Sequence, residues 1–446
     1  MTQLLSRPAA SPGDAHNTAV RRDVVVDLAR AVCLLVVVLF HGIMMGVQLD
    51  PVRGWQVTNA FEGQAFFPVL SLFLQVMPLF FILGGFSSFG AWERRRQAGR
   101  SAGSFIRERL LRLGRPAIVV FGVVGLGLVL LAASGVPADL LGQIGFRISQ
   151  PMWFLAVYLG CSAVVPVMAA AHRRAPWLTV GALLVAVIAV DLLRAGTGIE
   201  GIGFANLIFV WALMQQIGFF VAQGMRLSRL TLVMIFAGAL GLLLAGAALA
   251  WWPLDMLTNL NPPRFPLVLL GMAQLALLEI NRTALQRCAE RPRLRRASDF
   301  ANTNSLTIYL WHASAMAGLI GLMLLIGSPM PEPLSLAWWA SRGIWLTTLL
   351  AVVIPLAGYL SRFEKLPSQA VSGGDSRHVV LAILLAVTAV VLVLATGSNP
   401  ASWLLATLGL MTALRLASGG SRTADLRPQR FSGEPWWLAG RRAILS

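Results

Sequence analysis

The sequence predicts an all-α fold, a polytopic bundle of transmembrane helices. Three observations predict it. Of the 446 residues, 57% are hydrophobic and only 12% are charged, about half the charged share of soluble domains. The apolar residues fall in runs of about twenty, long enough to cross the hydrocarbon core of a bilayer. The basic residues alternate between loops. In a soluble protein a net charge of +17 would raise nucleic-acid binding. Here the arginines gather between apolar runs, so they set topology and imply no nucleic-acid partner.

Twelve spans follow in order. The first lies near 24–46, the second near 67–91 and the third near 116–134. The fourth to eighth lie near 152–170, 177–193, 203–223, 230–250 and 265–280. The ninth and tenth lie near 304–327 and 343–361, and two more near 378–396 and 402–417. Arg21 and Arg22 precede the first span, and a run from Arg94 to Arg115 separates the second and third. Arg173 and Arg174, then Arg226 and Arg229, then a run from Arg282 to Arg296 fill later loops on the same side, with Lys365 and Arg377 in the last. The opposite loops carry only scattered residues such as Arg53, Arg147 and Arg264. By the positive-inside rule this places both termini in the cytoplasm and the protein in the cell (plasma) membrane, in contact with its lipids. Residues 1–21 have no apolar core and read as a disordered tail; 418–446 read as a cytoplasmic tail whose Trp436, Trp437 and neighbouring arginines suit an interfacial helix.

The first span carries Asp27, Arg30 and His41. At about 100° per residue, Arg30 and His41 return to within roughly 20° of one face, and Asp27 lies about 40° from His41. Arg30 and His41 stand roughly 16 Å apart along the axis, so they cannot touch. Ionisable groups inside a bilayer mark a functional site by default. On this helix alone, a snorkelling arginine and a neutral core histidine account for the pattern as well.

Other polar residues have quieter readings. The stretch from Trp92 to Arg115 suits a basic amphipathic helix at the membrane surface. Its guanidinium forks suit phosphate, or anionic lipid headgroups. Trp153 suits an interface anchor. Asp191 and Arg194 suit a local i,i+3 pair. Gln215 and Gln216 suit interhelical hydrogen bonds, and Glu279 a surface ion pair. The ninth span brings Tyr309 and His312 onto one face, for structure or for chemistry. Cys33, Cys161 and Cys288 lie far apart and form neither a disulfide framework nor a zinc site, and no ligand cluster implies a metal.

A histidine can take the proton of a hydroxyl at neutral pH. The oxygen can then attack a thioester carbonyl, while a distant cation holds the donor's anionic arm. Arg30 and His41 suit these two jobs. There is no nucleophile elbow, no His-Glu-x-x-His and no phosphate loop.

At these residues the sequence resembles the membrane acyltransferase 3 family. The first span has Asp-x-x-Arg and Arg-x10-His as Asp27, Arg30 and His41. The second ends Phe80-Phe81-Ile82-Leu83-Gly84-Gly85-Phe86-Ser87. Arg109 and Arg112 form Arg-x-x-Arg, followed by Trp153-Phe154-Leu155 and Ile308-Tyr309-Leu310-Trp311-His312. The resemblance covers about 22–362, leaving 363–417 as two additional helices. It implies transfer of an acyl group, often acetyl, from acyl-CoA to a hydroxyl of a glycan, lipid or secondary metabolite. His41 resembles the essential histidine, with His312 and Tyr309 as further catalytic candidates and Asp27 as an orienting one. Arg30, Arg109 and Arg112 resemble donor-side residues. Gly84 stands where the family often has serine. A transporter or flippase for a glycan or lipid is the alternative, because ionisable residues also line transport paths; no inverted repeat is legible. A membrane scaffold or receptor would tolerate substitution at Arg30 and His41.

Overall fold

A computed structural model describes residues 23–52, 54–364, 376–397 and 399–418. The tails at 1–21 and 419–446, with Arg53 and Lys365, lie outside the described residues. Among the described residues, eleven helical segments are long and apolar enough to cross a membrane. A twelfth arises if the pair Phe265–Ile280 and Arg282–Ala289, bent by 69°, counts as one. Each expected span has its counterpart, so the protein is a multi-pass helical bundle.

Helix α1 (Val24–Met44) starts where Asp23 accepts hydrogen bonds from the amides of Val25 and Val26, at 3.0 and 3.2 Å. That cap satisfies two of the amides that every helix start leaves open. A hairpin, not anticipated from the sequence, follows at once. Strands β1 (Met45–Asp50) and β2 (Gly54–Asn59) pair antiparallel, Met45 opposite Asn59.

A short helix α2 (Phe67–Leu74) breaks at Gln75 and leads into α3 (Met77–Gln97). After four residues, α4 (Ala102–Ala133) begins, capped by Ser101, which accepts from the Ser104 amide at 3.2 Å. The expected amphipathic helix over Trp92–Arg115 is therefore not a separate element. Its residues prolong α3 and α4 beyond the spans. At about 1.5 Å per residue, 32 residues reach roughly 48 Å, well past the hydrocarbon core. Pro116, which had marked the start of the third span, sits inside α4. Arg95 with Glu108 ties these extensions together, while Glu93 pairs with Arg96 one turn on and with Arg173 farther along the chain.

An amphipathic helix α5 (Ala138–Ser149) precedes α6 (Trp153–Arg174). Gln143 accepts from the Val57 amide at 3.1 Å, and Arg147 donates to the Val57 carbonyl at 3.1 Å. These side chains occupy the open edge of β2, where another strand would otherwise pair.

Next come α7 (Pro176–Thr197), α8 (Asn206–Ala222), α9 (Arg229–Ala248), α10 (Phe265–Ile280), α11 (Arg282–Ala289) and α12 (Pro292–Thr303). The bundle closes with α13 (Ser305–Leu325), α14 (Leu336–Glu364), α15 (Ser376–Thr396) and α16 (Pro400–Ala417).

Helices α3 and α8 touch backbone to backbone. A Cβ on Gly85 would lie 2.1 Å from the Gln215 carbonyl oxygen, and one on Gly218 2.0 Å from that of Ile82. Small residues permit such approaches where no hydrophobic effect drives helices together.

Several polar expectations resolve here. Gln216 does bond between helices, donating to His172 at 2.7 Å. Glu279 pairs with Arg282 at 2.6 Å and Arg226 at 3.4 Å. Asp191 and Arg194 do not pair with each other. Asp191 instead accepts from the Phe265 amide at 2.8 Å and from Asn206 at 3.1 Å, while Arg194 takes Glu200. The carboxylate is better used capping α10 at the positive end of its dipole. Trp153 does not stand apart as an anchor: it stacks on the fully buried Trp211 with ring centres 5.5 Å apart.

Candidate functional site

One cavity of about 260 Å³ lies among α1, α3, α4, α6 and α13. Its walls change character along its length. Arg30, Arg94, Arg109 and Arg112 line it, and among the described residues no carboxylate does. Leu34, Val37, Met77, Phe80, Phe154 and Tyr309 make the rest largely apolar.

The arginine-rich end follows from helix geometry. Arg109 and Arg112 lie on consecutive turns of α4, and Arg94 on the last turn of α3. Arg30 enters from α1, where it donates to Ser87 on α3 at 3.2 Å. Ser87 can accept because its own hydroxyl donates to the Leu83 carbonyl at 3.0 Å. The Arg30 guanidinium also lies 6.0 Å from the Phe80 ring centre, while its Nε is buried with no partner. Among the described residues, no carboxylate lies within ion-pair distance of Arg30, Arg109 or Arg112. Guanidinium groups gathered around one apolar-backed hollow, three of them without an ion-paired carboxylate, are matched to an anion.

Asp27 stands one turn before Arg30, and its carbonyl accepts from Asn302 on α12 at 2.8 Å. That contact lays α12 along the start of α1 and lets Ser305, at the head of α13, reach the cavity. Asp27 itself does not line it.

The two histidines meet beyond the other end. The His41 and His312 rings are 5.0 Å apart, edge to face. The Nδ1 of His41 donates to the Val37 carbonyl at 2.7 Å, and that of His312 to the Tyr309 carbonyl. A carbonyl only accepts, so in the neutral form each Nδ1 carries the proton and each Nε2 keeps its lone pair. The Nε2 of His312 is buried without a partner. Val37 and Tyr309 both line the cavity, so each imidazole hangs one hydrogen bond past its inner end. Tyr309 is more committed than the histidines: its hydroxyl donates to the Pro151 carbonyl, and its ring packs on Phe154 at 4.7 Å.

The structure thus gathers Arg30, Arg109, Arg112 and Tyr309 around one cavity and pairs His41 with His312. A family model described as an acyltransferase domain matches residues 23–356. The chain belongs to the acyltransferase 3 family. No curated protein and no solved structure matches it. In this acyltransferase the matched region runs from the α1 cap into α14 and takes in every cavity residue.

Tyr158 was not singled out from sequence, although it lines the cavity. It follows Phe154 by four residues, the spacing that places two side chains on one helix face. The pairing of His41 with His312 has no such signal, because 270 intervening positions leave register undetermined.

Proposed function

We propose that this acyltransferase moves an acyl group, acetyl or one of similar size, from acyl-CoA to a hydroxyl of a glycan, lipid or secondary metabolite. The observation that carries the reading is a cavity with Arg30, Arg109 and Arg112 at one end and paired imidazoles just past the other. Arg30, Arg109 and Arg112 hold the donor's phosphates, with Asp27 steadying the turn that presents Arg30. The thioester lies toward Val37 and Met77. The His41 Nε2 accepts the proton of the acceptor hydroxyl as its oxygen bonds to the acyl carbon. The carbon–sulfur bond then breaks, and the thiolate takes that proton to leave as CoA thiol. His312 supplies a second acceptor nitrogen beside His41, and Tyr309 holds its ring in place. His41 is three residues from the end of α1 farthest from the arginines, so the acceptor reaches it from that face of the membrane.

The test is transfer from radiolabelled acetyl-CoA in reconstituted membranes, read as hydroxylamine-labile label in extracted glycans and lipids. Mass comparison of surface glycans and lipids between a deletion strain and its parent identifies the acceptor. His41→Ala abolishes labelling. Full turnover by a folded His41→Ala protein overturns the base assignment, and substrate flux without acyl-CoA consumption favours a transporter.

A further inference from the structure

Helix α3 contributes Met77, Phe80, Ser87, Ala91 and Arg94 to the cavity wall. These positions form one stripe at helical spacing. Gly84 falls on the same stripe, four residues after Phe80 and three before Ser87, and it alone brings no side chain. A Cβ built there would meet one neighbour within 4 Å, the Tyr158 ring carbon Cε2 at 3.6 Å. Tyr158 faces Gly84 from α6. Its ring is fixed by stacking on Phe154 at 5.2 Å and by an edge contact with Phe81 at 6.3 Å. Its hydroxyl makes no hydrogen bond among the described residues, and the Arg109 guanidinium is a charged influence on it.

The place matters as much as the residues. Along α3, Gly84 lies roughly 15 Å from Arg94 and roughly 10 Å from Met77. It sits between the arginines and the inner end. A coenzyme A thioester bound phosphate-first would carry its amide-bearing arm past this point, neither its phosphates nor its acyl group.

We propose that Gly84 and Tyr158 form the passage for that arm. The bare Gly84 backbone supplies the width, and the Tyr158 hydroxyl donates a hydrogen bond to an arm carbonyl. The inference rests on the proposed acyl-CoA donor and adds the residues that read its middle third. A donor with phosphates but no amide arm gains nothing from the pair.

The experiment measures equilibrium binding to the full-length protein in detergent with two probes. One is 2-oxopropyl-CoA, a ketone analogue that cannot transfer its acyl group. The other is adenosine 3′,5′-bisphosphate, which carries phosphates without the arm. Tyr158→Phe weakens the analogue about threefold to tenfold, the range for one net hydrogen bond, and leaves the bisphosphate unchanged. Gly84→Ala stays within about twofold for both probes, because its methyl group has ordinary van der Waals room. Gly84→Leu loses the analogue and keeps the bisphosphate, which also reports that it has folded. If Gly84→Leu fails to fold, Tyr158→Phe alone decides. Wild-type affinity for the analogue in Tyr158→Phe overturns the inference, as does equal weakening of both probes. A wild-type protein that binds neither probe overturns the donor reading instead.

Discussion

Two imidazoles with their Nδ1 protons tied to helix carbonyls are two bases with no acid between them. Each ring is held by its own helix, His41 by Val37 and His312 by Tyr309. Replacing His312 with Gln should therefore cut turnover without unfolding the protein, with about a tenfold to hundredfold fall in kcat and little change in KM. Steady-state kinetics on membranes of matched expression reads this; an unchanged kcat would leave His312 a packing residue. Arg30 predicts the opposite split. Arg30→Lys keeps charge but loses the fork that spans Ser87 and the cavity, so KM for acetyl-CoA should rise about tenfold with kcat nearly intact. Helical periodicity put Asp27, Arg30 and His41 on one stripe, but of the three only Arg30 lines the cavity. The His41–His312 contact was not legible, because sequence gives the face of a helix but not its height against a distant neighbour. The Asp191–Arg194 pair misled for a related reason. Proximity in sequence lost to an unsatisfied amide at Phe265 that only tertiary structure brings near.

Among elements, the α3–α8 crossing sets how far the cavity opens, since α3 supplies its stripe and α8 stands behind it. Gly218→Ala would place a methyl carbon 2.0 Å from the Ile82 carbonyl oxygen, and backbone cannot yield as a side chain can. Melting in detergent should fall by several degrees or more, and donor binding should weaken as α3 is pushed toward Tyr158; thermal unfolding of the purified protein checks it. The glycines were visible in the sequence, but the pairing of these two was not. Long apolar runs fixed the spans themselves well. Their ends moved where polar residues continued a helix out of the bilayer, as in the arginine-rich start of α4. Hydropathy reports where lipid stops, not where hydrogen bonding stops.

For the whole molecule, α15 and α16 are built into the bundle. The Trp403 ring is fully buried against Phe121 of α4, at 5.2 Å, and its indole donates to the Gly397 carbonyl at 2.8 Å. Gly125 of α4 accommodates it, since a Cβ there would lie 3.0 Å from the Trp403 Cβ. Trp403→Ala should cost about 3–5 kcal/mol. Truncation after residue 362 should yield little folded protein, measured as the monodisperse fraction in size-exclusion chromatography. A truncated chain that folds and transfers acyl groups would make these helices dispensable. The ten-span resemblance gave no role for them because it ends before they begin.

The hairpin after α1 has one more effect. Its first strand starts four residues past His41, and its second is clamped to α5 through Val57. His41 is thus moored to the rim of the bundle by a short stretch of main chain. Splicing a flexible tag into the turn at 51–52 would slacken that mooring. The imidazole would then ride up and down against its partner, and catalysis would fade although no residue of the reaction had been touched.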